Sequence, residues 1–117
     1  MPVRPIYLDH SATTPLDGVV LEAMMPYLRE NFGNPNSIHA WGRRARQAVE
    51  EARGAVASLV GAKEREVFFT GGGSEADNLA IKGAALARQQ KGRHLITSAI
   101  EHHAVLDVFS WLGRQGF

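Results

Sequence analysis

The chain has 117 residues, 44% of them hydrophobic, with 13 Lys and Arg against 12 Asp and Glu, and no cysteine. That length is one domain at most, and a formal net charge of +1 excludes a global basic footprint for nucleic acid. Without cysteine there is neither a disulfide framework nor a thiolate metal site, which fits a reducing compartment.

No apolar run is long enough to span a membrane. The start, Met1-Pro2-Val3-Arg4-Pro5, lacks the apolar core of a signal peptide. The expectation is a cytoplasmic soluble protein. Arg43, Arg44, Arg46 and Arg53 are interleaved with Glu50 and Glu51, the pattern of a solvated helix face.

Ile6-Tyr7-Leu8 is a short apolar run leading into Asp9-His10-Ser11-Ala12-Thr13-Thr14-Pro15. Such small hydroxylic residues bond to nearby backbone and favour turns. The same composition beside an apolar segment also suits a pocket wall. Residues 16–30 are expected to be helical, with Val19, Val20, Ala23, Met24, Tyr27 and Leu28 at helical spacing. Pro26 is expected to kink that helix or start a new turn. Asn31-Phe32-Gly33-Asn34-Pro35-Asn36-Ser37 is a strong turn signal.

A long helix is predicted over residues 38–60, with Ala45, Ala48, Val49, Ala52, Val56, Leu59 and Val60 as its apolar stripe. Arg46 and Glu50 are spaced to pair across one turn, and Gly61 suits the C-cap. Val67-Phe68-Phe69-Thr70 then reads as a strand, since aromatic and β-branched residues suit a buried one. The turn Gly71-Gly72-Gly73 follows. Ser74 is expected to be the next N-cap, with Asp77 completing a capping box. Glu75 is expected to point away from the turn.

That helix is predicted over residues 74–90. Its nearly continuous apolar face predicts burial on more than one side. Gly83 predicts close packing, since glycine inside a helix costs about 1 kcal/mol. His94-Leu95-Ile96-Thr97-Ser98 reads as a second strand, and Ala99-Ile100-Glu101-His102-His103 as a loop. Residues 105–115 are predicted to form a last helix, capped by Gly116 ahead of a third strand. Strand, helix, strand, helix is a βαβ pattern. Two parallel strands do not make a stable sheet, so the chain reads as the opening part of a larger α/β domain.

Three glycines ahead of a helix leave backbone N–H groups free to converge on a phosphate. Two readings follow. Gly71-Gly72-Gly73-Ser74-Glu75-Ala76 fits the dinucleotide pattern G-x-G-x-x-A, but the acidic residue wanted at the end of the second strand is missing. The other reading is a cofactor with one phosphate and a flat ring. The neighbouring βα loop carries Glu101-His102-His103, and an imidazole there could stack on such a ring. Pyridoxal 5′-phosphate has that shape.

Four segments also resemble one family, the cysteine desulfurases of the class V aminotransferase group, which are fold-type I pyridoxal-phosphate enzymes. They are Tyr7-Leu8-Asp9-His10-Ser11-Ala12-Thr13-Thr14-Pro15, Gly33-Asn34-Pro35-Asn36-Ser37-Ile38-His39, the stretch from Phe69-Thr70 to Lys82-Gly83, and Thr97-Ser98 with Glu101-His102 and Ala104-Val105-Leu106. The resemblance implies an α/β fold, the start of a mostly parallel-sheet, three-layer large domain that is truncated after two strands. Residues 1–15 would lie near the substrate pocket and residues 16–117 would be the incomplete cofactor-binding domain.

It further implies that Gly72, Gly73 and Ser74 hold the cofactor phosphate. His102 stacks on the pyridine ring and moves protons in catalysis. Ser11, Ala12 and Thr13 lie near the substrate. The family often has threonine at position 74 and serine at position 71, so Gly71 forgoes one hydroxyl contact. Asn34 and His39 match family positions without an assigned chemical role.

The implied reaction converts L-cysteine to L-alanine and leaves sulfur on an enzyme cysteine as persulfide. The sulfur then passes to an acceptor such as an iron–sulfur scaffold or to thiolation. A homodimer is implied, with no nucleic-acid or membrane partner. The cofactor-binding lysine and the persulfide cysteine would lie beyond residue 117. Lys63, Lys82 and Lys91 match neither the lysine's position nor another family role. The alternatives are a selenocysteine lyase or other class V enzyme, or an inactive piece with only the phosphate cup.

His103 reads as a surface residue and His10 as structural. The pair His102-His103 lacks a third ligand for a metal. Trp41 and Trp111 read as core or interface residues.

Overall fold

The computed structural model describes residues 5–117. Residues 1–4, which begin the expected segment 1–15, lie outside the described residues. The chain divides into two compact units after Val67.

In the first unit the turn after Leu8 is organised by Asp9. Its carbonyl accepts from Ala12 N at 3.1 Å and from the Tyr7 hydroxyl at 2.9 Å. His10 meets the Tyr7 ring edge-on at 5.0 Å. Helix α1 is Gly18–Arg29, capped by Asp17, whose carboxylate accepts Val19 N at 2.8 Å. Pro26 sits inside α1 and does not end it there. The helix stops one turn later, where the Pro26 carbonyl accepts from both Glu30 N and Asn31 N.

Helix α2 is Ala40–Val60 and ends on Gly61 with left-handed backbone, φ 67°, which glycine tolerates without Cβ strain. Its inner face is narrower than the expected stripe. Gly42, Ala45 and Ala57 are buried, whereas Val56, Leu59 and Val60 are exposed. The expected Arg46–Glu50 pair is not formed. Arg46 Nε donates to the Pro35 carbonyl at 2.9 Å, and Glu50 pairs with Arg53 at 3.1 Å. A 3-10 turn, Glu64–Glu66, packs on α2, and Arg53 reaches across to the Val67 carbonyl.

The second unit holds α3, Gly73–Arg88, and α4, His103–Arg114. Their contact makes its core. Ala85, Val108 and Leu112 are buried, with Ile81, Leu95, Trp111 and Phe117 packed around them. Leu112 is fully buried, worth about 1.5–3 kcal/mol of apolar transfer. Gly116, φ 85°, closes the end of α4, and Phe117 N donates to the Leu112 carbonyl at 3.2 Å.

Four expectations are corrected here. No β-strand is present among the described residues. Residues 67–70 and 92–98 carry no regular secondary structure, because strand assignment requires a backbone ladder and a parallel pair is weak without further strands. Second, α3 begins at Gly73 with Gly72 as N-cap and no side-chain cap, so Ser74 and Asp77 do not form a capping box. Third, α3 buries only Ala85, and Leu79 and Leu86 are exposed. Fourth, a Cβ on Gly83 would meet nothing within 4 Å, so no close packing explains that glycine.

Candidate functional site

The Gly-rich turn and the N-terminus of α4 belong to the same unit. One groove of about 530 Å³ is lined by Ser74, Asn78, Lys82, His102, Asp107 and Trp111, among others. The two helices therefore bring Ser74 and His102, far apart in sequence, to one surface. A larger hollow of about 650 Å³, between α2 and the 3-10 turn, carries none of the expected site residues.

At the turn, Thr70 Oγ1 donates to the Gly72 carbonyl at 3.1 Å. The first helical bond of α3 runs from Ala76 N to the Gly72 carbonyl. The amides of Gly73, Ser74 and Glu75 thus belong to the open first turn, where N–H groups lack helical acceptors and the dipole favours an anion. Gly72 has extended backbone, φ 164°, which any residue adopts. A Cβ on Gly72 or Gly73 would meet nothing within 4 Å. Neither backbone strain nor packing within this unit asks for glycine at those two positions. The bare backbone there leaves room for a ligand such as a phosphate.

The expected orientation of Glu75 is corrected. Its carboxylate turns back over the turn, and Oε2 accepts from Gly71 N at 2.6 Å. The reason is the shifted cap: with Gly72 as N-cap, Glu75 occupies the third helical position, from which a glutamate reaches orphan amides.

His102 is the N-cap of α4, and its Nδ1 accepts from Ala104 N at 3.1 Å. An accepting Nδ1 carries no proton, so on the neutral ring the proton sits on Nε2. The ring is exposed, held at one edge with its other nitrogen available as a donor. His103 lies 6.3 Å away, ring centroid to centroid.

Asn78, Asp107 and Arg114 of the groove were not singled out from sequence. Ser74, Asn78 and Lys82 follow one another at intervals of four, the spacing that places them on one helix face. Asn78 Nδ2 donates to the Ser74 carbonyl at 2.8 Å, and Lys82 Nζ lies 4.8 Å over the Trp111 ring. Lys82, half-buried, is therefore a wall of the groove.

Ser11 and Ala12 lie in the exposed turn held by Asp9, followed by Thr13. Ser11 Oγ donates to Asp9 Oδ1 at 3.4 Å. These three residues belong to the first unit. Asn34 and His39 gain definite roles there. Asn34 Oδ1 accepts from Asn36 N at 2.8 Å, and His39 Nδ1 caps α2 by accepting Gly42 N at 3.2 Å. Gly42 itself is needed for space, since a Cβ there would overlap the Ser37 and Asn34 carbonyls. This motif is a tightly folded entry to α2. Trp41 at its start is half exposed.

The sequence profile of the aminotransferase class-V family matches residues 6–116. The cysteine desulfurase IscS of Dictyoglomus turgidum is 55% identical over 97% of this chain and 29% of its own length. The proteins of that name from Methanosarcina thermophila and Methylococcus capsulatus are 54% and 59% identical, again over 97% of this chain and 28% of theirs. A solved NifS-like protein superposes with a TM-score of 0.83 at 42% identity, covering 91% of this chain and 29% of that one. The chain thus spans less than a third of the length of these relatives. With the profile matching nearly end to end, the chain belongs to the aminotransferase class-V family.

Proposed function

We propose that these residues form the phosphate cup and ring-stacking wall of a pyridoxal-phosphate-dependent cysteine desulfurase with the parallel-sheet large domain of fold-type I. The observation that carries the reading is the shared groove of Ser74 and His102, together with the names of relatives at 54–59% identity. On this reading Gly72, Gly73 and Ser74 bind the phosphate through backbone N–H groups and the Ser74 hydroxyl. His102 offers its ring face to the pyridine and its Nε2 proton to the reacting side. When bound, the cofactor supplies an electron sink for breaking bonds at the substrate α-carbon or β-carbon.

The substrate is L-cysteine and the products are L-alanine and sulfur held as a persulfide. No cysteine occurs in the 117 residues, so the sulfur-accepting thiol is supplied from outside them. Ser11, Ala12 and Thr13 border the substrate in the assembled enzyme, a cytoplasmic homodimer that hands its sulfur to an acceptor protein such as an iron–sulfur scaffold. Among the described residues no helix is long and apolar enough to cross a membrane.

The test is product analysis. The natural full-length protein, saturated with pyridoxal 5′-phosphate, is incubated with L-cysteine and a thiol, and alanine and sulfide are quantified. Equimolar alanine and sulfide are expected. A cofactor-saturated protein that releases no alanine would sink the reading.

A further inference from the structure

Glu75 stands apart from the groove residues because its carboxylate faces the turn rather than solvent alone. Oε2 lies 2.6 Å from Gly71 N, and a Cβ added to Gly71 would meet that oxygen at 3.1 Å. The carboxylate therefore lies along the bare side of Gly71, closing a five-residue ring from the entry of the turn to the first turn of α3. At that short distance the bond is charge-assisted.

The ring has a consequence for the amides. Gly71 N is taken by Glu75, Thr70 Oγ1 bonds the Gly72 carbonyl, and Ala76 N closes the first helical bond on that same carbonyl. No side chain caps α3. Three bonds thus clamp the backbone on either side of Gly72, and the amides of Gly72, Gly73, Ser74 and Glu75 are left without a protein acceptor. Glycines 71–73 would otherwise sample many backbone states, and ordering them at binding would cost affinity.

We infer that Glu75 is a positioning residue for phosphate binding: its carboxylate occupies the Gly71 amide and so holds the open amides that follow it in one arrangement. This rests on the proposed cofactor reading and deepens it. Glu75 touches no reacting atom in this role. Its negative charge opposes a phosphate, so the bond it accepts, not its charge, is what favours binding.

The experiment uses the natural full-length protein, freed of cofactor, and compares wild type with Glu75→Ala and Glu75→Gln. Dissociation constants are measured for pyridoxal 5′-phosphate and for pyridoxal, which lacks the phosphate, alongside thermal unfolding of each ligand-free protein. Glu75→Ala is expected to weaken pyridoxal 5′-phosphate by about tenfold, the scale of one charge-assisted bond, with pyridoxal unchanged. Glu75→Gln, whose amide oxygen accepts the same bond, is expected to bind within about twofold of wild type. Equal weakening of both ligands by Glu75→Ala would overturn the inference, since that marks general damage. So would an alanine variant that binds both as wild type does, or a glutamine variant as weak as alanine. A wild-type protein that binds pyridoxal 5′-phosphate no better than pyridoxal removes the phosphate cup itself, and the cofactor reading falls with the inference.

Discussion

Nδ1 of His102 accepts the backbone N–H of Ala104 at 3.1 Å, so one imidazole both caps α4 and faces the groove that Ser74 lines. The cap fixes the ring at one edge, Nδ1. The cap and the proposed chemical role thus fall on a single side chain, and substitutions separate them.

His102→Ala removes both roles. It is expected to destabilise by about 1 kcal/mol through the lost cap and to lower turnover by roughly 10²-fold or more through the lost ring. His102→Asn restores a capping oxygen but no aromatic face. Its thermal unfolding is expected to match wild type while its turnover stays as low as that of alanine. An asparagine variant with wild-type turnover would take His102 out of the chemistry.

Ser74→Ala keeps the backbone of α3, because no side chain caps that helix. It removes one hydroxyl donor. The affinity for pyridoxal 5′-phosphate is expected to fall roughly tenfold, the scale of a hydrogen bond to a charged group. Ser74→Thr is expected to restore it, as its hydroxyl can reach the same place. Titration of cofactor-free protein reads both.

Gly42 is hemmed in by the Ser37 and Asn34 carbonyls, and its amide is the one capped by His39. Gly42→Ala is expected to cost about 1–3 kcal/mol, since the loop must shift to admit a methyl group. His39→Ala is expected to cost about 0.5–2 kcal/mol, with most of it recovered in His39→Asn. Urea unfolding midpoints give these values, and an unshifted midpoint for Gly42→Ala would contradict the crowding.

Leu112 is fully buried between α3 and α4 with Ala85 and Val108. Leu112→Ala is expected to destabilise by about 2–5 kcal/mol, transfer and cavity terms together. A cost below about 1 kcal/mol would show that this contact is not a core of the folded protein.

The helices were legible because their signals are local. Gly61 and Gly116 stand where a left-handed turn is wanted, and the observed bounds fall within two residues of the expected ones. The clustering of glycine ahead of Ser74 was legible as the turn that starts α3 for the same reason. The strands were not realised among the described residues, because a strand is defined by its partner and the hydrophobic pattern of residues 67–70 or 94–98 names none. The capping box failed in a comparable way. Ser74 and Asp77 have the right spacing, but so do Gly72 and Glu75, and glycine at an N-cap leaves no side chain to advertise it.

By itself the sequence determined which segments coil, where they stop, and which residue types could meet a phosphate and a flat ring. It did so because propensity, capping and glycine freedom act over a few residues. Only the tertiary structure decided that Ser74 and His102 share a groove, that Lys82 folds over Trp111, and that Glu75 turns inward to hold Gly71. The first two relations are set by how α3 and α4 pack around Leu112. The third follows from a helix start two residues away from the one the capping pattern indicated. Packing geometry and the start of a helix are properties of the folded backbone, and no spacing rule within one segment contains them.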